Sequence, residues 1–395
     1  MHKLKYMAAL LALLCLAACS PGKEMPDISP NEQMHFLSEW DDRYYLWSGF
    51  GVFTHSDSSY YFLGYGQQFL CKSDKQSLQT TVLCNKPDCL HAYEEDYYRR
   101  YQCNAYVGSG ITAIRFINNT LYGLSNMYYE DFYEWVTDNA NNPAIVQISI
   151  DGSGYKTLLR LEHYIDSFCI HRGYLYAGYT WKYDVQPKDR YTITRYDLSA
   201  LKKPPEILYE KDTQQQTTMI VAKGNNIFAN FVGIRAQGEQ ASFLCVDSTT
   251  GECEEYLGEA EVFLSFFYDQ DIDPGQGFNQ EVYDYLQQDS AYMVFLRQHP
   301  VYTPLGFYNG YYVFDTLDTF EEERYLLLLN EDLKEVKRVA IGKKAADVFG
   351  MCDGTVFYKG EMGDYGYYSI MMLSVIDAIE ADAQPEVLFS ENKRP

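Results

Sequence analysis

The sequence lacks the signatures that mark the common enzyme classes. It contains no Gly-x-Ser-x-Gly nucleophile motif, no His-Glu-x-x-His zinc motif and no glycine loop that would cradle a phosphate. Its 7 histidines are scattered along 395 residues, with no pattern that pairs them with a nucleophile. The sequence therefore assigns no catalytic residue, and it favours a binding or structural protein over an enzyme.

Positive charge is also scarce. The chain has 32 Lys and Arg residues against 55 Asp and Glu residues, which gives a formal net charge of −23. A protein this acidic repels nucleic acids and anionic lipid headgroups. The composition therefore excludes a nucleic-acid partner, and it indicates that charge does not hold the protein to a membrane.

Long apolar runs are absent apart from one at residues 7–18, which is too short to span a bilayer. It follows two lysines, as the apolar part of an export signal does. The run ends in Leu-Ala-Ala-Cys at Cys19, which resembles the lipobox of bacterial lipoproteins. That resemblance implies a signal peptide over residues 1–18, lipidation of Cys19 and a lipid-anchored position in the cell envelope, outside the cytoplasm. An ordinary signal peptide with a chance cysteine is the alternative.

A repeated pattern of strands and tight turns organises residues 34–395, which follow a flexible polar tether at 19–33. Tight turns that join aromatic-rich strands recur about every 50 residues, and four strands fit each interval, which is typical of a β-propeller. The turns are Asp57-Ser58, Asn118-Asn119, Arg172-Gly173, Gly224-Asn225, Asn309-Gly310 and Asp353-Gly354. We therefore expect a single all-β domain of six or seven four-stranded blades, with a helical insertion near residues 276–298. Two stacked β-sandwiches are the alternative.

The connections between these strands differ in length in a regular way. In a propeller blade, the first and third turns share one face, and the second turn and the inter-blade connection share the other. The short turns fall in the first set, and the long segments, at 84–109, 123–143, 177–190 and 258–303, fall in the second. Long loops on a rigid scaffold commonly carry binding sites, so the long-loop face is the predicted binding face.

Two of the long segments are rich in aromatic residues beside carboxylates. This composition suits a sugar ring, whose apolar face stacks on an aromatic plane, and it also suits a protein surface. Packing of the loops on each other is the alternative interpretation. The candidate ligand-binding residues are Tyr128, Tyr129, Trp135, Trp181 and Tyr183.

A cluster of cysteine and histidine is the sharpest local motif. Cys84, Cys89 and His91 lie close together in the sequence, and Cys103 follows. Three thiolates and one imidazole make a tetrahedral Cys3His zinc site. Exported proteins, however, generally form disulfides, and the even number of cysteines after Cys19 permits them. Zinc, disulfides and free thiols therefore remain open, and a structural role is favoured over a catalytic one.

The same segment resembles one in uncharacterised surface lipoproteins of Gram-positive anaerobes. In those proteins, Cys-x-Lys-Pro-x-Cys-x-His precedes Cys-Asn-Ala, as it does here between residues 84 and 105. The body of the chain resembles TolB-like and quinoprotein-like propellers, although the tryptophan docking pattern of the quinoprotein group is absent. The resemblance implies an extracytoplasmic propeller, and it brings no known activity.

Two weaker patterns concern a disulfide and a calcium ion. Cys245 and Cys253 lie symmetrically about a turn, where a cross-strand disulfide is plausible.

Alternating carboxylates followed by a distal Glu are typical of a calcium loop, although a proline stands where the motif needs glycine. The alternative is a solvated acidic loop. The candidate calcium ligands are Asp269, Asp271, Asp273 and Glu281.

The expected function combines these features. The sequence predicts a membrane-anchored extracytoplasmic propeller that binds a glycan or a protein partner through its long-loop face. A polysaccharide-acting hydrolase or lyase on the same scaffold is the first alternative, and a structural envelope lipoprotein is the second. Zinc and calcium are the candidate cofactors.

Overall fold

The chain forms a six-bladed β-propeller. The computed structural model describes residues 52–64, 68–89, 91, 103–107, 111–117, 120–125, 143–161, 165, 167–181, 190–212, 215–233, 241–258, 260–272, 277–318, 323–343, 348–360, 369–381 and 383–390. In these ranges, six antiparallel sheets each contain four strands that are consecutive in the sequence and lie side by side. The prediction of six four-stranded blades is confirmed.

The blades follow one another along the chain. Blade 1 contains β1 (Phe53–His55), β2 (Ser59–Gly64), β3 (Phe69–Asp74) and β4 (Thr80–Val82), and blade 2 contains β5 (Ile111–Ile117), β6 (Thr120–Ser125), β7 (Ala144–Ile148) and β8 (Tyr155–Arg160). Blade 3 contains β9 (Ser167–His171), β10 (Tyr174–Trp181), β11 (Arg190–Asp197) and β12 (Glu206–Asp212), and blade 4 contains β13 (Gln215–Lys223), β14 (Asn226–Gly233), β15 (Ser242–Asp247) and β16 (Cys253–Leu257). Blade 5 contains β17 (Tyr302–Tyr308), β18 (Tyr311–Asp318), β19 (Glu323–Asn330) and β20 (Glu335–Lys343), and blade 6 contains β21 (Val348–Cys352), β22 (Thr355–Lys359), β23 (Ser369–Ser374) and β24 (Glu386–Ser390).

The tight turns between the first and second strands of blades 5 and 6 have the backbone geometry that their sequences predict. Both central residues have positive φ in Asn309-Gly310 (51° and 86°) and in Asp353-Gly354 (47° and 73°). Such turns match the twist of the strands they join, and Asn, Asp and Gly tolerate the left-handed conformation. The turn residues therefore set where each hairpin begins.

Helices occur at two places in the described residues. The helices α1 (Ala260–Tyr268), α2 (Gln280–Gln288) and α3 (Ala291–Gln298) lie between blades 4 and 5, and α4 (Val375–Glu380) joins β23 to β24. The predicted insertion at 276–298 thus contains α2 and α3, which begin at side-chain caps from Asn279 and Ser290. None of the described helices combines the length and the apolar character that crossing a membrane requires.

The helical insertion fills the space between blades 4 and 5. Phe228 of blade 4 stacks on Phe263 of α1 at 5.5 Å between ring centroids, and Tyr292 of α3 packs on Tyr312 of blade 5 at 5.0 Å. These side chains belong to one continuous buried cluster that contains residues of both blades and all three helices. Helices, and not a seventh blade, therefore account for the described residues between blades 4 and 5.

A buried lysine holds the insertion to blade 4. Lys223, the last residue of β13, donates hydrogen bonds to the carbonyl oxygens of Phe266 and Phe267 at 2.5 and 3.1 Å. These carbonyls belong to the last turn of α1, where the helix dipole favours a positive charge. Burial lowers the pKa of Lys223 to about 8, an effect that the nearby carboxylate of Asp269 partly offsets.

The ring closes where blade 1 meets blade 6. In the described residues these two blades share no strand. Instead, the ring of Phe53 stacks on Phe349 at 6.1 Å between centroids and packs in a tilted orientation against Phe357 at 4.6 Å. Lys75 of blade 1 also forms an ion pair with Asp353 of blade 6, at 2.9 Å. Side-chain contacts therefore close the ring.

Candidate metal centre

The outer edge of blade 1 is built from two separate pieces of chain. The short strand β4 pairs only with residues 71–73 of β3. The first half of β3 is covered by residues 103–107 instead: Leu70 N–H donates to the carbonyl of Ala105, and Val107 N–H donates to that of Gln68, both at 2.9 Å. The chain therefore leaves this edge after β4 and returns to it at Cys103.

The predicted cysteine–histidine cluster lies where the chain leaves and returns. The ligand atoms of Cys84, Cys89, His91 and Cys103 all lie within 4.8 Å of one another. Cys103 Sγ and His91 Nδ1 are 3.6 Å apart. A tetrahedral zinc ion with its usual bond lengths to sulfur and nitrogen places such a pair about 3.6 Å apart. The four side chains therefore have the arrangement of a Cys3His site.

This arrangement differs from what a disulfide requires. A disulfide needs two sulfurs at bonding distance and has no use for a third sulfur or an imidazole. The cysteines that the structure describes are all free thiols, the three in the cluster included. The fourfold convergence, with the histidine among its members, therefore favours metal binding over a bridge.

Backbone amides point at two of the sulfurs. Burial disfavours the thiolate of Cys84, but hydrogen bonds from the backbone N–H groups of Lys86 and Asn104, together with those from the thiols of Cys89 and Cys103, outweigh it and lower the pKa of this thiol. The backbone N–H of Ala105 reaches Cys103 in the same way. Amide donors of this kind stabilise a metal-bound thiolate and hold it in place.

Without a bound cation, three thiolates in this cluster would be electrostatically unfavourable. Burial raises the pKa of Cys103, and the neighbouring sulfurs of Cys89 and Cys84 raise it further. A divalent cation would replace this repulsion with attraction and keep all three thiols deprotonated. Burial also lowers the pKa of His91, which favours the neutral imidazole that a metal binds.

A glycine turn of blade 2 is packed against the cluster. Asn85 N–H and the side-chain amide of Asn104 both donate to the carbonyl oxygen of Gly152, at 3.1 and 3.0 Å. Gly152 has a φ of 79°, and a Cβ atom there would lie 2.8 Å from the backbone nitrogen of Asn85. Only glycine fits this approach. The sequence showed the turn but gave no signal that it contacts the cluster, because the two lie in different blades.

The structure does not bring Cys245 and Cys253 together. The strand register pairs Cys245 with Glu254, and Val246 with Cys253. Residues that are one position out of register point to opposite faces of a sheet. Accordingly, Cys245 packs against the helical insertion, Cys253 packs against blade 3, and both are free thiols. The expected cross-strand disulfide was wrong because it assumed a symmetric turn.

Two of the candidate calcium ligands have hydrogen-bond partners within the helical insertion. Asp269 is buried and accepts a hydrogen bond from the hydroxyl of Ser290, while Asp271 accepts one from Tyr285 at 3.3 Å. In the part of the chain that the structure describes, the groups that converge closely enough to hold a metal do not include Asp269, Asp271 and Glu281. Asp273 lies outside the described residues. Asp269 therefore joins α1 to α3 through Ser290, and calcium binding by this segment stays a prediction from the sequence.

The remaining predicted site residues lie mostly outside the described ranges. These are Cys19 and the ligand-face candidates Tyr128, Tyr129, Trp135 and Tyr183. Trp181 is the last residue of β10, and only its backbone is described. The lipid anchor and the aromatic loops therefore stay predictions from the sequence.

Comparison with known proteins identifies no family for this chain. No protein-family model matches the chain, and no curated protein matches it either. Among solved structures, the chain is similar to the β-propeller domain of the Trilobed protease from Pyrococcus furiosus, with a TM-score of 0.48, 12% identity and coverage of 87% of this chain and 98% of that one. It is similar to an acylaminoacyl peptidase from Pyrococcus horikoshii, with a TM-score of 0.47, 11% identity and coverage of 86% of this chain, which spans about half (52%) of the peptidase.

A third solved structure is TolB from Acinetobacter baumannii, with a TM-score of 0.35 and 8% identity, in which 80% of this chain matches 60% of that chain. Likeness at this level concerns the fold alone and says nothing about activity. The identification of this chain as a six-bladed propeller rests on its own six sheets.

Proposed function

We propose that this protein is a lipid-anchored extracytoplasmic propeller that binds a glycan or a protein partner, and that Cys84, Cys89, His91 and Cys103 hold a structural zinc ion. One observation carries the metal assignment: four soft or borderline ligand atoms converge within 4.8 Å. Four protein ligands leave no open position on a tetrahedral zinc ion, so the ion stabilises the structure and does not activate water.

The position of the cluster explains what the zinc would stabilise. Cys84 follows β4, and Cys103 precedes the segment that completes the edge of blade 1. We call the segment between Cys84 and Cys103 the blade 1 excursion, and these two residues form its base. An ion bound to both residues would close the excursion at its base, as a disulfide closes a loop. The contacts of Asn85 and Asn104 with Gly152 then tie this base to blade 2.

The proposal that the long-loop face binds a partner is supported by the arrangement of the connections. The described first turns of the blades are short, as at 172–173 and 309–310, whereas the excursion between β4 and β5 and the helical insertion lie in inter-blade connections. A rigid ring with long connections on one face presents those connections to a partner. A zinc ion at the base of one such connection would reduce the entropy lost on binding.

The metal content of the purified protein tests the zinc proposal. We expect one zinc ion per chain by elemental analysis, and loss of that zinc in Cys89→Ser and Cys103→Ser. Cys253→Ser is the matched control, because Cys253 is a half-buried thiol in blade 4, away from the cluster, and this variant should keep its zinc. A disulfide detected by intact mass without reductant, or three readily alkylated thiols without metal, would overturn the assignment.

Partner binding is tested separately with a glycan array and a surface-protein capture assay, followed by analysis of any products. Retention without cleavage supports a binding protein. Cleavage of a polysaccharide would replace the proposal with an enzyme, and neither retention nor cleavage would favour a structural envelope protein.

A further inference from the structure

A second group of potential ligands lies at the junction between blades 1 and 6. His55 is the last residue of β1, and Cys352 is the last residue of β21, followed by Asp353 in the turn. The His55 imidazole, the Cys352 sulfur and a carboxylate oxygen of Asp353 all lie within 4.8 Å of one another. The group therefore contains one nitrogen, one sulfur and one oxygen ligand, contributed by the first and the last blade.

The ammonium of Lys75 sits among these three ligands. Its Nζ is 2.9 Å from Asp353 Oδ2, 3.2 Å from His55 Nδ1 and 4.0 Å from Cys352 Sγ. It also lies over the ring of Tyr60, at 5.2 Å from the centroid. An ammonium has three donors and no acceptor, and it is attracted to the face of an aromatic ring. These residues therefore already form a cation site, which the chain's own lysine fills.

We propose that His55, Cys352 and Asp353 form an exchangeable site for a divalent transition metal such as zinc or cobalt, which binds when the ammonium of Lys75 withdraws. A mixed nitrogen, sulfur and oxygen set suits these ions, whereas magnesium and calcium prefer oxygen ligands alone. Three protein ligands leave a fourth position for water or a small ligand, so this site differs in kind from the closed Cys3His cluster.

The burial of the four residues shows how the exchange can occur. His55 and Cys352 are 3% and 5% exposed and are held in the strands of the two blades. The Asp353 side chain is 67% exposed, so the site opens to solvent on that side. Lys75 lies in the turn after β3, and its long flexible side chain can leave without moving a strand. The ligands are fixed, and the cation is the mobile part.

A metal at this site would connect the two ends of the ring. The ion would coordinate His55 of blade 1 and Cys352 and Asp353 of blade 6, where Lys75 and Asp353 now form an ion pair. Because the ion binds only the closed ring, it would stabilise the folded protein, and the stabilisation would grow with the logarithm of the ion concentration above the dissociation constant.

A cobalt titration of the full-length protein tests this proposal. Cobalt is added to the protein as purified, and the cobalt–thiolate absorption is measured. Lys75→Met should strengthen cobalt binding by about tenfold or more, because a competing cation is removed. Adding Cys352→Ser to it should remove this added absorption. Magnesium should not compete, since it avoids thiolate ligands.

Two controls make the outcome decisive. Lys72→Met removes a lysine from β3 that does not belong to this group, and it should leave cobalt binding unchanged. Any cobalt bound by the Cys84 cluster gives its own thiolate absorption in every variant, so the signal of this site is the part of the absorption that Cys352→Ser removes. No extra absorption in Lys75→Met over the unsubstituted chain, or extra absorption that survives Cys352→Ser, would overturn the proposal. If Lys75→Met folds poorly, the unsubstituted chain at higher cobalt concentration, with and without Cys352→Ser, gives the same comparison.

Discussion

Asn85 donates its backbone N–H to the carbonyl oxygen of Gly152 across 3.1 Å, and this bond joins the base of the blade 1 excursion to a turn of blade 2. The two residues are 67 positions apart in the sequence (85 to 152) and belong to different blades. The contact makes the cysteine–histidine cluster part of the interface between the two blades.

The first prediction concerns this contact. Gly152→Ala should lower the free energy of unfolding by about 2 to 4 kcal/mol, since it combines left-handed strain with a steric clash. Gly173→Ala is the matched control, because Gly173 has the same φ of 79° but nothing within 4 Å of a Cβ atom. The control should cost about 1 kcal/mol. Urea denaturation of both variants measures the difference. Equal losses would show that the close approach to Asn85 does not matter.

The second prediction concerns removal of the metal. A strong chelator should lower the melting temperature of the protein, because the metal binds the folded state and not the unfolded one. The same chelator should leave the melting temperature of Cys103→Ser unchanged, since that variant has already lost a ligand. Differential scanning calorimetry with and without chelator checks this. A chelator effect of the same size in Cys103→Ser would place the relevant metal elsewhere.

The third prediction concerns the buried Lys223. Its pKa is about 8 in the folded protein and 10.5 as an unperturbed lysine. Between these values the unfolded chain binds a proton that the folded chain has released, so the contribution of Lys223 to stability rises with pH. The difference in unfolding free energy, wild type minus Lys223→Met, should therefore increase by up to about 3 kcal/mol as the pH rises across this window.

Denaturation of both proteins at about pH 7.5 and about pH 10.5 measures this gain, with both pH values chosen to bracket the window. Titration of the many tyrosines cancels in the difference between the two proteins. A difference that stays constant with pH, or falls, would show that the lysine is not titrating in the folded state.

The fourth prediction concerns the long-loop face. Trp135→Ala or Trp181→Ala should weaken capture of the partner about thirtyfold, which corresponds to about 2 kcal/mol, with little change in melting temperature. Asn309→Ala should instead lower the melting temperature and leave capture unchanged. Asn309 has a φ of 51° in a tight turn of the short-turn set, which the propeller places on the face opposite the long loops. If the tryptophan variants lose stability and their folded fraction still binds normally, these residues serve packing.

The fifth prediction concerns the anchor. Cys19→Ala should move the protein from the membrane fraction to the soluble fraction or leave it unprocessed, because the proposed acyl chains would be attached through this cysteine. Membrane fractionation and the mass of the N-terminal peptide report both outcomes. Ser20→Ala is the neighbouring control and should remain in the membrane fraction. Unchanged fractionation and mass in Cys19→Ala would remove the lipid anchor from the proposed function.

The fold was predictable because its signals are local. In turns such as Asn309-Gly310 and Asp353-Gly354, the two central residues are enough to predict the backbone conformation. The spacing between the turns indicates the repeat. The grouping of the cysteines and the histidine was predictable because three of the four lie close together in the sequence. Their chemistry was not, since the sequence left zinc, disulfides and free thiols open.

The contacts between blades were not predictable in this way. Nothing near Gly152 in the sequence indicates its contact with Asn85, and nothing near Lys75 indicates His55 and Cys352 as neighbours. The expected Cys245–Cys253 disulfide was wrong because the turn between them is asymmetric. The strand register is shifted by one residue, so the two cysteines are not opposite each other. Such contacts depend on three-dimensional packing, which a single sequence does not contain.

The absence of a shared strand between the described blades 1 and 6 has a consequence for the order of assembly during synthesis. Each blade pairs only strands that are adjacent in the sequence, so its contacts have short sequence separation and small loop-closure costs. Blade 1 can therefore complete its sheet as soon as it has been synthesised, without waiting for the C-terminal part of the chain. Assembly can proceed from one blade to the next, and the junction of Lys75 with Asp353 is the last to form.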